Sequence, residues 1–412
     1  MQKLGGVAIP MKQSNEMRFY FYEGDSLDEM QTLPTLGTFD EDVCAFLNCL
    51  SDAIRKDRES RQYSDILTFG FFCRKANIEQ LRQNYTNEVR VGKGISFHVA
   101  PSNVPINFAY SMVAALLAGN PCIVRVSSKE FPQTNILCRL LKETAQKNIC
   151  KKHDIAKYIA LVTYEKKREI TDRLSGMCAV RVIWGGDATI QEIRKSALMP
   201  RAIEIAFSDR YSMLIINAKE MIAEKDMERI ANDFYNDTYL YDQNACSSPR
   251  LIYWYGESDV ISAAQNKFWK AINDYLGGRY HVEPKIAVDK LLVAYKAAIA
   301  LPEVTLNHDN KNLIDRIKVQ TLTDEIMNYT CPGGSFFEYE SAHMEDLLCV
   351  VTEKVQTLSY YGMEKEELSW MVAQSGVRGI DRIVPMGKTS DFSLIWDGYD
   401  LIRTMSRVIN VK

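Results

Sequence analysis

The chain has 412 residues, of which 46% are hydrophobic and 25% charged, and its formal net charge is -3. That length is more than one simple core accommodates and predicts two or three domains, while the near-neutral charge gives no electrostatic basis for binding nucleic acid or an anionic membrane. The longest strongly apolar stretch, FAYSMVAALLAG at 108–119, is too short to span a bilayer, and the first 24 residues lack the apolar run of a secretory signal, so a cytoplasmic location is expected.

In chain order, FDEDVCAFLNCLSDAIRKDR (39–58) has apolar residues three and four apart and predicts an amphipathic helix. ISFHVA (95–100) reads as a buried strand, PSNVP (101–105) as a turn, and INFAYSMVAALLA (106–118) as a helix stopped by Gly119-Asn120. CIVRV (122–126) is a second strand and FPQTNILCRLLKETAQK (131–147) a second helix. Strand, helix, strand, helix with tight connections is the signature of a parallel sheet. The alternation continues through the strand YIALVTY (158–164), the helix EKKREITDRLSG (165–176), the strand AVRVIWGG (179–186) and the helix DATIQEIRKSA (187–197). YSMLIIN (211–217) is another buried strand, and 225–245 reads as a helix leading into a loop cysteine. The strand PRLIYWYG (249–256) and the helix SAAQNKFWKAINDYLGG (262–278) follow, and 301–345 reads as irregular. The fold class expected is α/β with doubly wound sheets.

The ten cysteines form no C-x-x-C pair and have no close histidine, and the five histidines form no H-x-x-x-H pair. Neither a disulfide framework nor a metal site is expected. One cysteine stands apart. In YDQNACSSPRLIYW (241–254), Cys246 lies between a polar, turn-like approach and an apolar strand, and reads either as an incidental small residue or as a nucleophile at the mouth of a site. Two other stretches hold candidate chemistry. Asn103 sits between Pro101 and Pro105 at the carboxyl end of a parallel strand, where open α/β sheets bind ligands, although it reads equally as an Asn that satisfies the turn by itself. Gly185-Gly186 turns a strand into a helix, which allows a pyrophosphate to approach backbone N–H groups, although Asp187 reads equally as the N-cap of a plain tight turn. The common phosphate-cradle motifs are absent. Aromatic residues in LIYWYG and KFWKAINDY read either as core or as the lining of an acyl channel.

Taken together, these stretches carry a resemblance. HVAPSNVPINFAYSMVAALLAGNPCIVRVSSKEFP resembles the aldehyde dehydrogenase segment that runs strand, P-W-N-x-P, helix, A-x-x-A-G-N, strand, K-P-S-E. It is closer to the acyl-CoA reductases of the bacterial luminescence (LuxC) type, in A-P-S-N-V-P, in W-G-G-D, in D-Q-N-A-C-S-S-P and in the ending GIDRIVPMGKTSDFSLIWDGYDLIR. The resemblance covers roughly residues 85 to 412.

It implies an aldehyde dehydrogenase-like fold: a Rossmann-like cofactor domain, an α/β catalytic domain and an extended oligomerisation arm. The division expected is an N-terminal region with the cofactor domain at 1–208, the catalytic domain at 209–395 and a C-terminal return or oligomerisation arm at 396–412. The resemblance makes Cys246 the nucleophile, places the site between the two domains, and has Asn103 and the Cys246 backbone N–H stabilise the oxyanion. The activity implied is NADPH-dependent reduction of a fatty acyl thioester to the aldehyde through an acyl-cysteine. Alternatives are a short-chain CoA-acylating or oxidising aldehyde dehydrogenase and, from another class, a non-catalytic acyl-binding scaffold subunit. The acyl group would come from acyl-CoA or from a synthetase/transferase partner, and a homo-oligomer is expected.

A local change of charge favours NADPH over NADH, unless Lys129 is simply a solvated residue at a helix start. Arg125 falls on the family lysine, Ser128 replaces the glutamate that holds the ribose hydroxyls, and Lys129 follows, so Arg125, Ser127, Ser128 and Lys129 with Gly185 and Gly186 form the expected cofactor set. Glu204 falls near the glutamate of the E-L-G-G-K block that activates hydrolytic water in oxidising relatives, but both glycines of that block are missing here. Glu204 is thus expected either as a catalytic carboxylate or as a solvated or ion-paired one.

Overall fold

Alternating strands and helices place the first candidate residues along one edge of a sheet. The computed structural model describes residues 17–147, 149–308 and 311–411. The part of the N-terminus inspected for a secretory signal lies, up to residue 16, outside the described residues. The chain divides into two compact units, Met1–Ser208 with Tyr399–Lys412, and Asp209–Gly398.

The first unit contains β1 (Met17–Phe21), the helices α1 (Glu41–Lys56), α2 (Ser64–Phe72) and α3 (Lys75–Arg82), the short β2 (Arg90–Gly92), then β3 (Ser96–Val99), α4 (Asn107–Leu117), β4 (Cys122–Arg125), α5 (Pro132–Ala145), β5 (Ile159–Tyr164), α6 (Arg168–Met177), β6 (Val180–Trp184), α7 (Asp187–Arg194) and β7 (Ile203–Phe207). Its six-stranded sheet has the order β1-β5-β4-β3-β6-β7, parallel except for β1 against β5. The strand order steps outward from β3 to β5, then returns to the other side of β3 with β6. β3 and β6 therefore flank the switch point, the place where doubly wound sheets open a ligand crevice.

Local chemistry explains the helices. Asp40 caps α1 by accepting from Asp42 N and Val43 N, and Arg55 and Lys56 occupy its last turn, matching the helix dipole at both ends. Nearly every residue of α4 is buried, in keeping with its unbroken apolar run. α4 ends as predicted: Gly119 adopts φ +87°, and a Cβ there would lie 2.1 Å from Leu36 O. The buried Asn120 accepts from Lys93 N (2.7 Å) and Gly94 N (3.2 Å) and donates to Met405 O (2.9 Å). That last bond helps tie the segment from Tyr399 onward to the first unit. Residues Ser406–Val408 also pair antiparallel with β2, and Arg90 Nε donates to Ser406 Oγ.

The second unit contains β8 (Tyr211–Asn217), α8 (Ala218–Ala223), α9 (Met227–Asp237), β9 (Pro249–Tyr255), α10 (Ser258–Leu276), α11 (Pro284–Ala300), β10 (Val304–His308), β11 (Asp315–Val319), β12 (Ser335–Ser341), β13 (Val355–Tyr361), α12 (Lys365–Ser375) and β14 (Arg382–Pro385). Its seven-stranded sheet runs β10-β11-β12-β9-β8-β13-β14, parallel except for β10 against β11. Here the sequence reading needs correction. The stretch 301–345 is not irregular: it supplies three strands of this sheet, whose apolar alternation is broken by the buried charges Asp315 and Glu338. The helix expected over 225–245 ends at Asp237, and α10 begins at Ser258, four residues before the expected start.

The aromatic residues of β9 and α10 are core. Trp254, Phe268 and Trp269 pack with Phe234 and Phe336, and both indole N–H groups donate to Glu338 Oε1, at 2.9 and 2.7 Å. Glu338 is paired in turn with Arg316 at 3.5 Å, so the buried carboxylate is neutralised and its hydrogen bonds are made. Among the described residues, no helix is long and apolar enough to cross a membrane, and no group of three or more His, Cys, Asp or Glu is placed to hold a metal ion.

Candidate active site

In the first unit, the strand order brings three candidate loops to one edge. β4, β3 and β6 are parallel neighbours, so their carboxyl ends lie side by side. The loop after β3 carries Asn103, the loop after β4 carries Ser127, Ser128 and Lys129, and the turn after β6 carries Gly185 and Gly186. Asn103, Ser128 and Lys129 are exposed and Gly185 and Gly186 partly so. Ser127 Oγ accepts from Lys129 N at 3.0 Å, which tightens the turn that presents Ser128. Arg125 donates to Tyr164 O (3.2 Å) and its guanidinium lies over the Tyr164 ring at 4.5 Å. Its charge is thus anchored at the edge by the neighbouring strand.

Gly186, not Asp187, is the N-cap of α7, and no side chain caps the helix. Asp187 instead occupies the first helical turn. Gly185 N donates to Phe207 O (3.1 Å), and a Cβ on Gly185 would stand 3.2 Å from Thr189 Cγ2, so the turn has little room for a side chain. An uncapped helix start behind two glycines suits an anionic pyrophosphate. Asp187 sets one negative charge in the same turn, which the phosphates must avoid. These residues fit a dinucleotide, with Lys129 and Arg125 as the cationic side of the edge.

Below this edge lies a buried relay. Ser111 Oγ is 2.6 Å from His98 Nδ1 and accepts from Trp184 Nε1 at 3.0 Å. Burial pushes the His98 pKa down to about 3, so the ring is neutral at physiological pH. Trp184 stacks on Phe207 with ring centres 3.7 Å apart, which fixes the strand end that delivers Gly185.

Glu204 is not brought to this edge. It lies opposite Arg181, three residues before the carboxyl end of β7, about 10 Å along the strand. Its Oε2 accepts from Arg181 Nε (2.8 Å) and Nη2 (2.6 Å), and its Oε1 accepts from Arg194 Nε (2.6 Å). Arg181 is buried and also donates to Ser175 Oγ, Ile193 O and Ser196 O, so the pair completes a structural guanidinium site.

In the second unit, Cys246 lies in the turn that enters β9, at the amino-terminal edge of the sheet. Its residue surface is exposed, and Ser212 Oγ, from the start of β8, donates to its carbonyl at 2.7 Å. The approach is strained: Asp242 and Gln243 are both left-handed, with φ of 52° and 58°. The fully buried Gln243 explains how that strain is held. Its amide donates to Pro249 O (3.0 Å) and Ser335 O (3.0 Å) and accepts from Gly334 N (3.0 Å) and Ser335 N (3.1 Å). Arg250 adds bonds to Gln243 O (2.9 Å) and Cys331 O (3.3 Å).

The segment Cys331 to Ser335 that receives these bonds needs its glycines. Gly334 has φ +87°, and a Cβ there would lie 2.2 Å from Leu313 O. Lys290 Nζ donates to Gly333 O (2.9 Å) from the other side. Sequence reasoning missed Gln243, Arg250 and this C-P-G-G-S segment as supports for the cysteine loop. The Gly-Gly pair was the available signal, but its partner is almost a hundred residues away in sequence.

Electrostatically the thiol is opposed. Burial of the sulfur, then the Asp397 carboxylate, push the Cys246 pKa up, as does Asp209; the Arg210 backbone N–H and the Arg250 charge push the other way.

A sequence model of the family described as acyl-CoA reductase (LuxC) matches residues 22–408. The chain belongs to this family. Among its relatives, the long-chain acyl-protein thioester reductase of Aliivibrio fischeri is 29% identical over 308 residues, 73% of this chain and 60% of that protein. The long-chain acyl-protein thioester reductase of Vibrio harveyi is 28% identical over 326 residues, 77% of this chain and 63% of that protein. The chain thus spans less than two thirds of the length of these relatives. Similar folds include a lactaldehyde dehydrogenase (TM-score 0.63, 12% identity, covering 93% of this chain and 87% of that one). A benzaldehyde dehydrogenase from Corynebacterium glutamicum is also similar (TM-score 0.61, 12% identity, 92% and 86%). The fold is that of the aldehyde dehydrogenases.

Proposed function

We propose that this chain reduces a fatty acyl thioester to the aldehyde through an acyl group carried on Cys246. The observation that carries the reading is Cys246, an exposed residue on a loop held rigid by Gln243 and Arg250, in a member of the acyl-CoA reductase family. A thiol attacks a thioester carbonyl with little loss of bond energy, so an acyl-cysteine is the natural intermediate. In this proposal the Asn103 amide donates to the carbonyl oxygen as it becomes an oxyanion, together with the Cys246 N–H. One such donor is worth roughly 3 kcal/mol. When bound, a reduced nicotinamide supplies the hydride that turns the acyl-cysteine into aldehyde.

Ser127, Ser128, Lys129, Gly185 and Gly186 hold the dinucleotide in this reading, with Arg125 adding positive charge. The absence of a carboxylate at Ser128 supports NADPH, because a 2′-phosphate meets no negative charge there. Ser128→Glu is expected to shift preference toward NADH. Glu204 has no bond-making role here: its two oxygens are committed to Arg181 and Arg194, and reduction needs no activated water. The donor is an acyl-CoA or an acyl group on a partner protein. Ten free cysteines support a reducing, cytoplasmic location. Self-association is supported by the exposed apolar stripe Val288, Leu292, Tyr295 and Ile299 on α11.

Intact-mass spectrometry with a panel of acyl-CoAs, without cofactor, tests the reading. Wild type is expected to gain one acyl group that Cys246→Ala does not gain and that NADPH discharges as aldehyde. An adduct that persists in Cys246→Ala, or a wild-type adduct that NADPH leaves in place, would refute it.

A further inference from the structure

The seven-stranded sheet holds Cys246 and Asp397 at the same edge. At the start of β8 and β13, Tyr211 lies opposite Val355 and Ser212 opposite Thr357, with Gln356 as the extra residue of a bulge between them. Ser212 Oγ donates to Cys246 O at 2.7 Å, and Gln356 Nε2 donates to Asp397 Oδ1. Neighbouring strands lie about 4.8 Å apart, so the cysteine loop and the carboxylate are bonded to adjacent rungs. Arg210, just before β8, reaches the neighbouring strand: its guanidinium donates to Val355 O (3.3 Å) and Asp381.

Two further features mark this spot. Asp397 is 8% exposed, and its left-handed φ of 48°, ahead of Gly398 at 74°, is the turn conformation that an Asp-Gly pair favours. Among the described residues, the buried atoms Arg210 Nε, Gln356 Oε1 and Thr357 Oγ1 have no hydrogen-bond partner. Such atoms cost about 1–3 kcal/mol each unless something polar meets them, and here three lie on the rungs that hold the thiol.

The thiol needs a proton acceptor, because burial and nearby carboxylates oppose its ionisation. The charged groups that act on the thiol are Asp397, Asp209 and Arg250; Arg210, Asp381 and Arg382 act on Asp397, and Tyr211 and Cys331 on Arg250. Asp381 is engaged by Arg210, and a phenol is no base at neutral pH. Gln356 fixes Oδ1 of Asp397 and leaves Oδ2 to exchange a proton. We propose that Asp397 is the proton acceptor for the Cys246 thiol, aimed by Gln356. This rests on the acyl-cysteine reading above. As the S–H bond breaks, the proton passes to Asp397 Oδ2 and the sulfur electron pair forms the bond to the acyl carbon. The carrier thiolate leaves with the electrons of the old C–S bond and takes the proton from Asp397. No oxidant or reductant enters this half of the cycle.

Two reactions of Cys246 separate a base from a mere charge. Alkylation by iodoacetamide reports only the thiolate fraction, and acylation by tetradecanoyl-CoA reports base-assisted attack; both are followed at Cys246 by peptide mass spectrometry at pH 7. Asp397→Asn removes a repelling carboxylate, so alkylation is expected to be unchanged or faster, while acylation slows by about 100-fold or more. Asp397→Glu is expected to recover part of the loss. Gln356→Ala, which frees Oδ1, is expected to show the same split at about tenfold, and decides the matter if Asp397→Asn does not fold. Acylation that keeps pace with alkylation in these variants overturns the proposal and leaves Asp397 an electrostatic neighbour. Wild type that alkylates but never acylates overturns the acyl-cysteine reading itself, and the proposal with it.

Discussion

The side chain of Gln243 pairs with the backbone of Ser335 in both directions, Nε2 donating to Ser335 O at 3.0 Å and Oε1 accepting from Ser335 N at 3.1 Å. A side chain thereby takes the place of a strand at the amino end of β12 and fixes the loop that carries Cys246. Gln243→Leu leaves those backbone groups, Gly334 N and Pro249 O buried without that partner. It is expected to lower stability by about 3 kcal/mol in urea unfolding, with faster amide exchange at 242–248 than elsewhere in the second unit.

Asn103 and Glu204 are expected to behave oppositely in steady-state NADPH oxidation with acyl-CoA. Asn103→Ala removes the amide proposed as an oxyanion donor, so kcat is expected to fall roughly 100-fold with KM little changed. Glu204→Gln is expected to leave kcat within about threefold and to lower stability by about 2 kcal/mol, because Arg181 is buried and keeps its charge. A collapse of kcat in Glu204→Gln without loss of stability would restore a catalytic role to that carboxylate.

Asp237 sets a pH dependence of stability. It is 1% exposed, and its carboxylate accepts from Gly387 N (2.7 Å), Thr389 N (2.9 Å) and Thr389 Oγ1 (2.9 Å). Burial outweighs these bonds and raises its pKa to about 6. A raised carboxyl pKa means that the folded state holds a proton the unfolded chain has lost. Stability from this group is therefore greatest below about pH 4 and is lost as pH rises through about 6. Relative to Asp237→Asn, wild type is expected to gain up to about 3 kcal/mol between pH 7 and pH 4, measured by denaturant unfolding at each pH. A difference independent of pH would show that the group titrates normally.

The outer face of α11 carries Val288 (58% exposed), Leu291 (45%), Leu292 (51%), Tyr295 (55%) and Ile299 (86%), spaced three and four apart on one side of the helix. The chain continues into β10, an edge strand of the seven-stranded sheet. A continuous apolar stripe of this kind beside an open strand edge is unusual on a monomer and suits a second copy of the same surface. Leu292→Glu with Ile299→Glu is expected to convert an oligomer to monomer in sedimentation velocity while leaving the thermal transition unchanged.

Much of the fold was legible locally. The β3-α4-β4 unit needed only its apolar run and the Gly119 stop, and the turn residues around Asn103 and Gly185-Gly186 are local signals. The strands over 301–345 were not legible, since buried polar residues such as Asp315 and Glu338 break the alternation that marks a strand. The end of α9 was missed because Asp242 and Gln243 adopt a conformation that neither residue favours alone.

The sequence by itself determined the family, whose model matches residues 22–408, and the fold class, because period and turn chemistry are properties of neighbours along the chain. Only the tertiary structure decided what surrounds these residues. It tied Glu204 into an arginine clasp, drew Gln243 onto Ser335 and bonded Cys246 and Asp397 to residues on neighbouring strands of one sheet. Those relations depend on strand order and register, which join residues far apart in sequence through backbone pairing that no single segment specifies.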